Sequence, residues 1–345
     1  LIKVESSVST TEYTSFDILG RVTGHRQTTD GQQYATGYIY NLSGALIEQT
    51  YPSGRVVKNV LGNNGDLSIV QSRKSPNHGY WNYAENFTYN AAGAVTSMQL
   101  GNGKWESTQF NSRLQPMQIA LGVTQGATNL LKLDYSYGTT NNNGNVVSQT
   151  ITAPTIGQNP GFTAVQNYTY DSHNRLKSAE EIIDSQTSWL QTFTFDRYGN
   201  RNFDESNTTT LPKNCLQGST PVVCVADRKI VNPSITQSNN RLSTSDDYLF
   251  DGSGNTTADA QGRTFIYDAE NKLDEVIENS VSIGKYFYDG DGKRIKKIAD
   301  HETIVFVYDA AGELIAKYAN KISRTPRDSY LTTDHLGSPR INTDE

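Results

Sequence analysis

An Asp or Asn with a Gly or Asn three positions later, in nine cases directly behind an aromatic residue and once behind Thr333, recurs ten times in this chain of 345 residues. The anchors are Asp17, Asn41, Asn90, Asp171, Asp196, Asp251, Asp268, Asp289, Asp309 and Asp334. Their partners three residues on are Gly20, Gly44, Gly93, Asn174, Gly199, Gly254, Asn271, Gly292, Gly312 and Gly337. A type I turn favours Asp or Asn at its first position, where the side chain accepts from the turn's own amides, and Gly at its fourth. A left-handed fourth residue lets the flanking strands pair through a bulge. Each unit therefore reads as strand, turn, strand.

The entering strands carry aromatic pairs one and three positions before the anchor, such as Tyr38 and Tyr40, Tyr168 and Tyr170, and Tyr286 and Tyr288. Period two puts both rings on one face. Leaving strands return an aliphatic residue two positions after the Gly or Asn (Val22, Leu46, Val95, Leu176, Leu273, Leu314), which is expected to cover the rings. The last five anchors are 17, 21, 20 and 25 residues apart. Weaker copies fill the wider gaps, as at Tyr51–Arg55, Phe110–Leu114 and Tyr135–Gly144, so 51–145 reads as degenerate repeats. The expected fold is all-β: one array of tandem antiparallel β-hairpins over 1–345, of roughly two dozen strands. A sheet that stays open leaves edges that must be covered or charged.

Composition agrees with many short strands and tight turns. Charged residues make up 19% and hydrophobic residues 35%, against 20 Tyr and 28 Gly. A net charge of -6 argues against a nucleic-acid surface, because phosphate binding needs clustered Lys and Arg. No apolar stretch approaches the roughly 18 residues of a membrane span. The start at Leu1, with no basic-then-apolar leader, reads as the interior of a longer protein.

Cys215 and Cys224 lie nine residues apart in an insert over about 204–240. A disulfide closing that loop would suit an oxidising compartment, and two buried thiols are the alternative. A zinc site would need two further ligands, and no histidine is near.

The search for chemistry returns little. His25, His78, His173, His301 and His335 are dispersed without metal-ligand spacing, and only His335, close to the tenth anchor, merits attention. There is no phosphate-binding Gly-rich loop and no Gly-x-Ser-x-Gly elbow. Asp289-Gly290-Asp291-Gly292 has the opening of a calcium loop but not its remaining ligands, and turn formation explains it. Adjacent acids such as Glu180-Glu181 and Asp246-Asp247 would point to opposite faces of a strand. Five Asn-x-Ser/Thr sequons, at Asn41, Asn86, Asn167, Asn207 and Asn255, are what chance gives in a chain rich in these residues. No cofactor, metal ligand or catalytic group is expected, and the binding residues stay unassigned.

The aromatic-x-aromatic-Asp-x-x-Gly-Arg-Leu unit resembles the YD repeat of the rearrangement-hotspot (RHS) family. The strongest matches are Tyr267–Leu273, Tyr286–Arg294 and Tyr330–Arg340, and the segment from Asp334 to Arg340 is similar to the RHS repeat-associated core, a signature placed at 330–340. Relatives in that family are bacterial polymorphic toxins, shell-forming subunits of insecticidal toxin complexes, and teneurins. The resemblance implies a secreted or cell-surface repeat whose long curved or spiralling sheet forms part of a hollow shell, encloses a C-terminal toxin or effector polypeptide and helps deliver it, with flanking repeats as further partners. Roughly two dozen strands are fewer than a closed shell of that family uses, so an open section is expected. It also implies self-cleavage beyond an Asp-Pro-x-Gly-Leu segment. This sequence contains no Asp-Pro, so no catalytic role carries over and the chain is expected not to be an enzyme. The alternatives are an extracellular adhesion or carbohydrate-binding protein, with a glycan or cell-surface receptor as partner, and a surface scaffold without cargo.

Overall fold

The structure is a computed structural model that describes residues 2–211, 214–215, 224–320 and 328–344, with backbone alone at 214–215 and 224–225. Strands hold 55% of the residues and helix 2%, so the fold is all-β, built from tandem antiparallel hairpins. The described residues contain 31 strands, more than the two dozen expected, because weak repeat copies also close hairpins. One is Asp259–Gly262, where Gly262 has φ +75° although Ala258, not an aromatic, precedes the anchor. The weaker copy expected at Phe110–Leu114 closes as well, with Leu114 itself at φ +60°. No helix among the described residues is long and apolar enough to cross a membrane.

The chain divides into two compact units, Leu1–Tyr83 with Thr244–Pro326, and Ala84–Ser243 with Arg327–Glu345. In the first unit, seven strands from Lys3–Glu5 to Leu67–Arg73 each pair with their sequence neighbour, as do eight from Leu249–Phe250 to Leu314–Ala319. The two meanders meet at Gln27, which is 2% exposed. Its Nε2 donates to the Phe306 carbonyl at 2.9 Å, and its Oε1 accepts from the Tyr308 amide at 3.5 Å. Beside it, the Ala310 amide donates to the Tyr38 hydroxyl at 2.9 Å and Lys296 Nζ lies 2.8 Å from Asp30. Val56, Ile295 and Val307 complete the buried interior. Removing these side chains from water is worth about 2 kcal/mol each.

In the second unit the ladder runs from Trp81–Tyr89, paired through Ala84–Tyr89, to Arg201–Phe203. Its core is a row of cross-strand neighbours on one face: Ile119 opposite Leu133, and Leu133 opposite Ile151, then Ala164. Leu121 and Leu133 are fully buried. Within the insert, the described residues include a four-residue helix, Arg228–Val231, capped by the Asp227 carboxylate accepting from the Lys229 amide, and a ladder of Ile235–Thr236 with Arg241–Leu242.

Candidate functional site

At each of the ten anchors the residue three positions on has a positive φ, from 60° at Asn174 to 96° at Gly254. Its amide donates to the anchor's carbonyl, and the anchor's amide donates to the carbonyl four residues on. The anchor side chain completes the turn. Asp171 Oδ1 accepts from the His173 amide at 2.8 Å and the Arg175 amide at 3.0 Å, and Oδ2 accepts from Arg175 Nε at 2.7 Å. These bonds, the Arg175 amide's first, hold the Asp171 carboxyl below the usual range. Asp289 likewise accepts from the Asp291 and Lys293 amides. Both bonds fall on Oδ1, which is thereby used by the backbone of its own turn.

Where an aliphatic residue follows the turn, it pairs directly with the aromatic just before the anchor: Tyr40 with Leu46, Tyr89 with Val95, Tyr170 with Leu176, Tyr308 with Leu314. The register slips by one residue there, as a bulge requires. A second device went unread in the sequence. The cation four positions after one anchor lies over the ring before the next: Arg21 over Tyr40 at 4.7 Å, Arg175 over Phe195 at 4.3 Å, Lys293 over Tyr308 at 5.5 Å. Such pairs contribute about 0.5–1 kcal/mol where exposed. The ring hydroxyls also reach back, Tyr288 to the Leu273 carbonyl and Tyr308 to the Arg294 carbonyl. A recurring basic residue after the Gly was the available signal.

The tenth anchor departs from this scheme. Asp334 lies between Ser329–Thr333 and Pro339–Asp344, the closing hairpin of the second unit. It is 5% exposed, and its Oδ2 takes Arg340, six residues on, at 2.7 Å and 3.0 Å. Burial alone would raise the Asp334 pKa, yet bonds from the Ser338 amide, Arg340 and the Leu336 amide outweigh it and hold the carboxyl low. The hairpin packs on the core row: the His335 ring meets Tyr135 edge-on at 4.6 Å, and Thr332 is 1% exposed. Burial lowers the His335 pKa, and its Nδ1 has no hydrogen-bond partner among the described residues. Burial pushes the Tyr135 hydroxyl up to about 12. Arg340 and Ile341 border an apolar cleft with Leu131, Ile151, Phe162 and Ala164.

The other histidines stand apart. His25, 3% exposed, is bonded to Thr36, and His78 to Ser75. Among the described residues no three His, Cys, Asp or Glu side chains converge as metal ligands. Cys215 and Cys224 face each other in a two-residue antiparallel ladder. Their side chains lie outside the described residues, and so does the expectation of a disulfide between them.

No known protein family matches the sequence, and no curated protein does. Solved structures do match in fold. A chain of the Photorhabdus luminescens Tc holotoxin pore is 18% identical and superposes over 99% of this chain and 19% of its own, with a TM-score of 0.73. The chain in the TcdB2-TccC3 crystal structure is 18% identical over 99% of this chain and 20% of its own, with a TM-score of 0.72. The same complex without its hypervariable C-terminal region gives a TM-score of 0.72. This chain thus spans about a fifth of the length of these neighbours. Its fold is the hairpin-repeat fold of the Tc toxin TcdB2-TccC3 chains.

Proposed function

We propose that this chain is a repeat section of an RHS-type shell that encloses a C-terminal polypeptide effector and helps deliver it outside the producing cell. The observation that carries the reading is the agreement of fold over 98–99% of the chain with toxin-complex chains that include TccC3. The side chains support it from below. The repeat carboxylates are taken up by their own turns and the repeat tyrosines by packing and backbone carbonyls, which leaves a scaffold with steric work to do. No reaction is assigned to the segment.

The test uses the intact gene product that contains this segment. Purified product should contain a C-terminal fragment that co-elutes with the repeats and resists trypsin until the repeats are unfolded. A C-terminal region digested as fast in the intact product as when expressed alone refutes enclosure.

A further inference from the structure

In the second unit, the hairpin tip between Gln186–Phe195 and Arg201–Phe203 faces the segment 235–240 across a cleft of about 480 Å³. That volume lies within the range of small-ligand sites. We propose that this cleft binds a neutral saccharide, a reading that stands apart from the shell and survives its failure.

The walls are fixed. Asp196 Oδ1 accepts from the Tyr198 amide at 2.8 Å and the Asn200 amide at 3.0 Å, and Oδ2 accepts from Asn200 Nδ2 at 2.7 Å. Asn200 Nδ2 also reaches Asn240 Oδ1 at 2.6 Å and ties the tip to the opposite wall. The Asp196 carboxyl is held below its usual range, by the Asn200 side-chain bond first, and its negative charge serves the turn.

What the cleft offers a ligand is mostly amide. The side chains of Asn202 and Gln237 make no hydrogen bond among the described residues, and Asn200 Oδ1 and Asn240 Nδ2 are also left over. A primary amide sets a donor and an acceptor side by side, and so do the neighbouring hydroxyls of a sugar ring. The Tyr198 ring beside them is 53% exposed, with one approach taken by the Arg197 guanidinium 4.4 Å from its centre. An aromatic body with open area is the complement of the apolar face of a hexose. The lining suits the other ligand classes poorly. A cation would need carboxylate oxygens that the turn already uses, and a phosphate would need more than one Arg.

Saturation-transfer NMR of the protein with glucose, galactose, mannose, N-acetylglucosamine, maltose, lactose and chitobiose tests this, with sialyllactose as the charged arm. At least one neutral sugar should receive magnetisation. Tyr198→Ala and Gln237→Ala should weaken that binding roughly tenfold, the loss of one stacking or bidentate contact, at unchanged melting temperature. Tyr198→Phe, which keeps the ring, should retain it. The assignment is overturned by no transfer to any neutral sugar, by transfer that both alanine variants leave intact, or by transfer to sialyllactose alone that salt abolishes, which would mark an anion site at Arg197.

Discussion

Replacing Asp334 with Ala deletes a carboxylate that fastens the turn of the closing hairpin. Four bonds go with it: the Leu336 and Ser338 amides at 2.9 Å each, and Arg340 Nε and Nη2 at 3.0 Å and 2.7 Å. The Asp334 side chain is 3% exposed and that of Arg340 31%, so Arg340 and the turn amides regain part of their hydration from solvent. That places the loss at about 3 kcal/mol, the low end for breaking a buried pair. The hairpin's local opening equilibrium should rise by roughly 150-fold. Hydrogen exchange of the amides from Tyr330 to Thr343 reads this directly. Asp334→Asn keeps an acceptor for the two amides but turns its NH2 towards Arg340 or the turn, and should lose about half as much. The dependence on pH has a definite sign. A carboxyl whose folded pKa lies below its unfolded value of about 3.9 stabilises fully above that value and loses its contribution as pH falls through the folded pKa. Hairpin protection in the wild type should therefore fall below about pH 4, and in Asp334→Ala this component should be missing. Equal exchange of residues 330–343 in wild type and Asp334→Ala would refute the assignment of Asp334 as the hairpin's fastener.

Three further perturbations test the fold. Gln27→Leu orphans the Phe306 carbonyl and the Tyr308 amide between the two meanders of the first unit and should cost about 2–3 kcal/mol, read as a lowered urea midpoint; an unchanged midpoint contradicts the bridging role. At Gly20, with φ +77° and no atom within 4 Å of the place a Cβ would take, any loss is a backbone effect: Gly20→Val should cost about 1–2 kcal/mol in thermal unfolding and Gly20→Asn clearly less, and equal effects would undo the left-handed explanation. Thiol titration of the unreduced, denatured protein should find none free if the facing register of Cys215 and Cys224 is closed as a disulfide; two reactive thiols would exclude the bridge.

The fold class was legible because its code is local. A turn such as Asp171–Asn174 is closed by bonds that reach no further than four residues, so Asp, Gly or Asn and the period-two aromatics write it into the chain directly. Reading stopped where that code lost its aromatic marker, as at Asp259, whereas the copy at Phe110–Leu114 kept its aromatic and was legible although Leu114 stands in for Gly in the left-handed conformation. The ring-capping cations occupy a regular position, yet their target lies one hairpin further on, and only the stacking of strands shows that Arg175 belongs to Phe195.

The sequence alone determined the ten anchored hairpins: where the turn falls, which residue is left-handed, and which side chain bonds the turn's own amides. Tertiary structure decided what the hairpins do with one another. Gln27 meets Phe306 across 279 positions, His335 meets Tyr135, Arg340 replaces the usual fourth residue as the partner of Asp334, and Asn200 meets Asn240 to shape a cleft. The first two of these join repeats that are locally alike. Identical turn codes carry no address for their distant partners, and the choice among them rests on which long-range packing buries the most side chain with the fewest unmet hydrogen bonds.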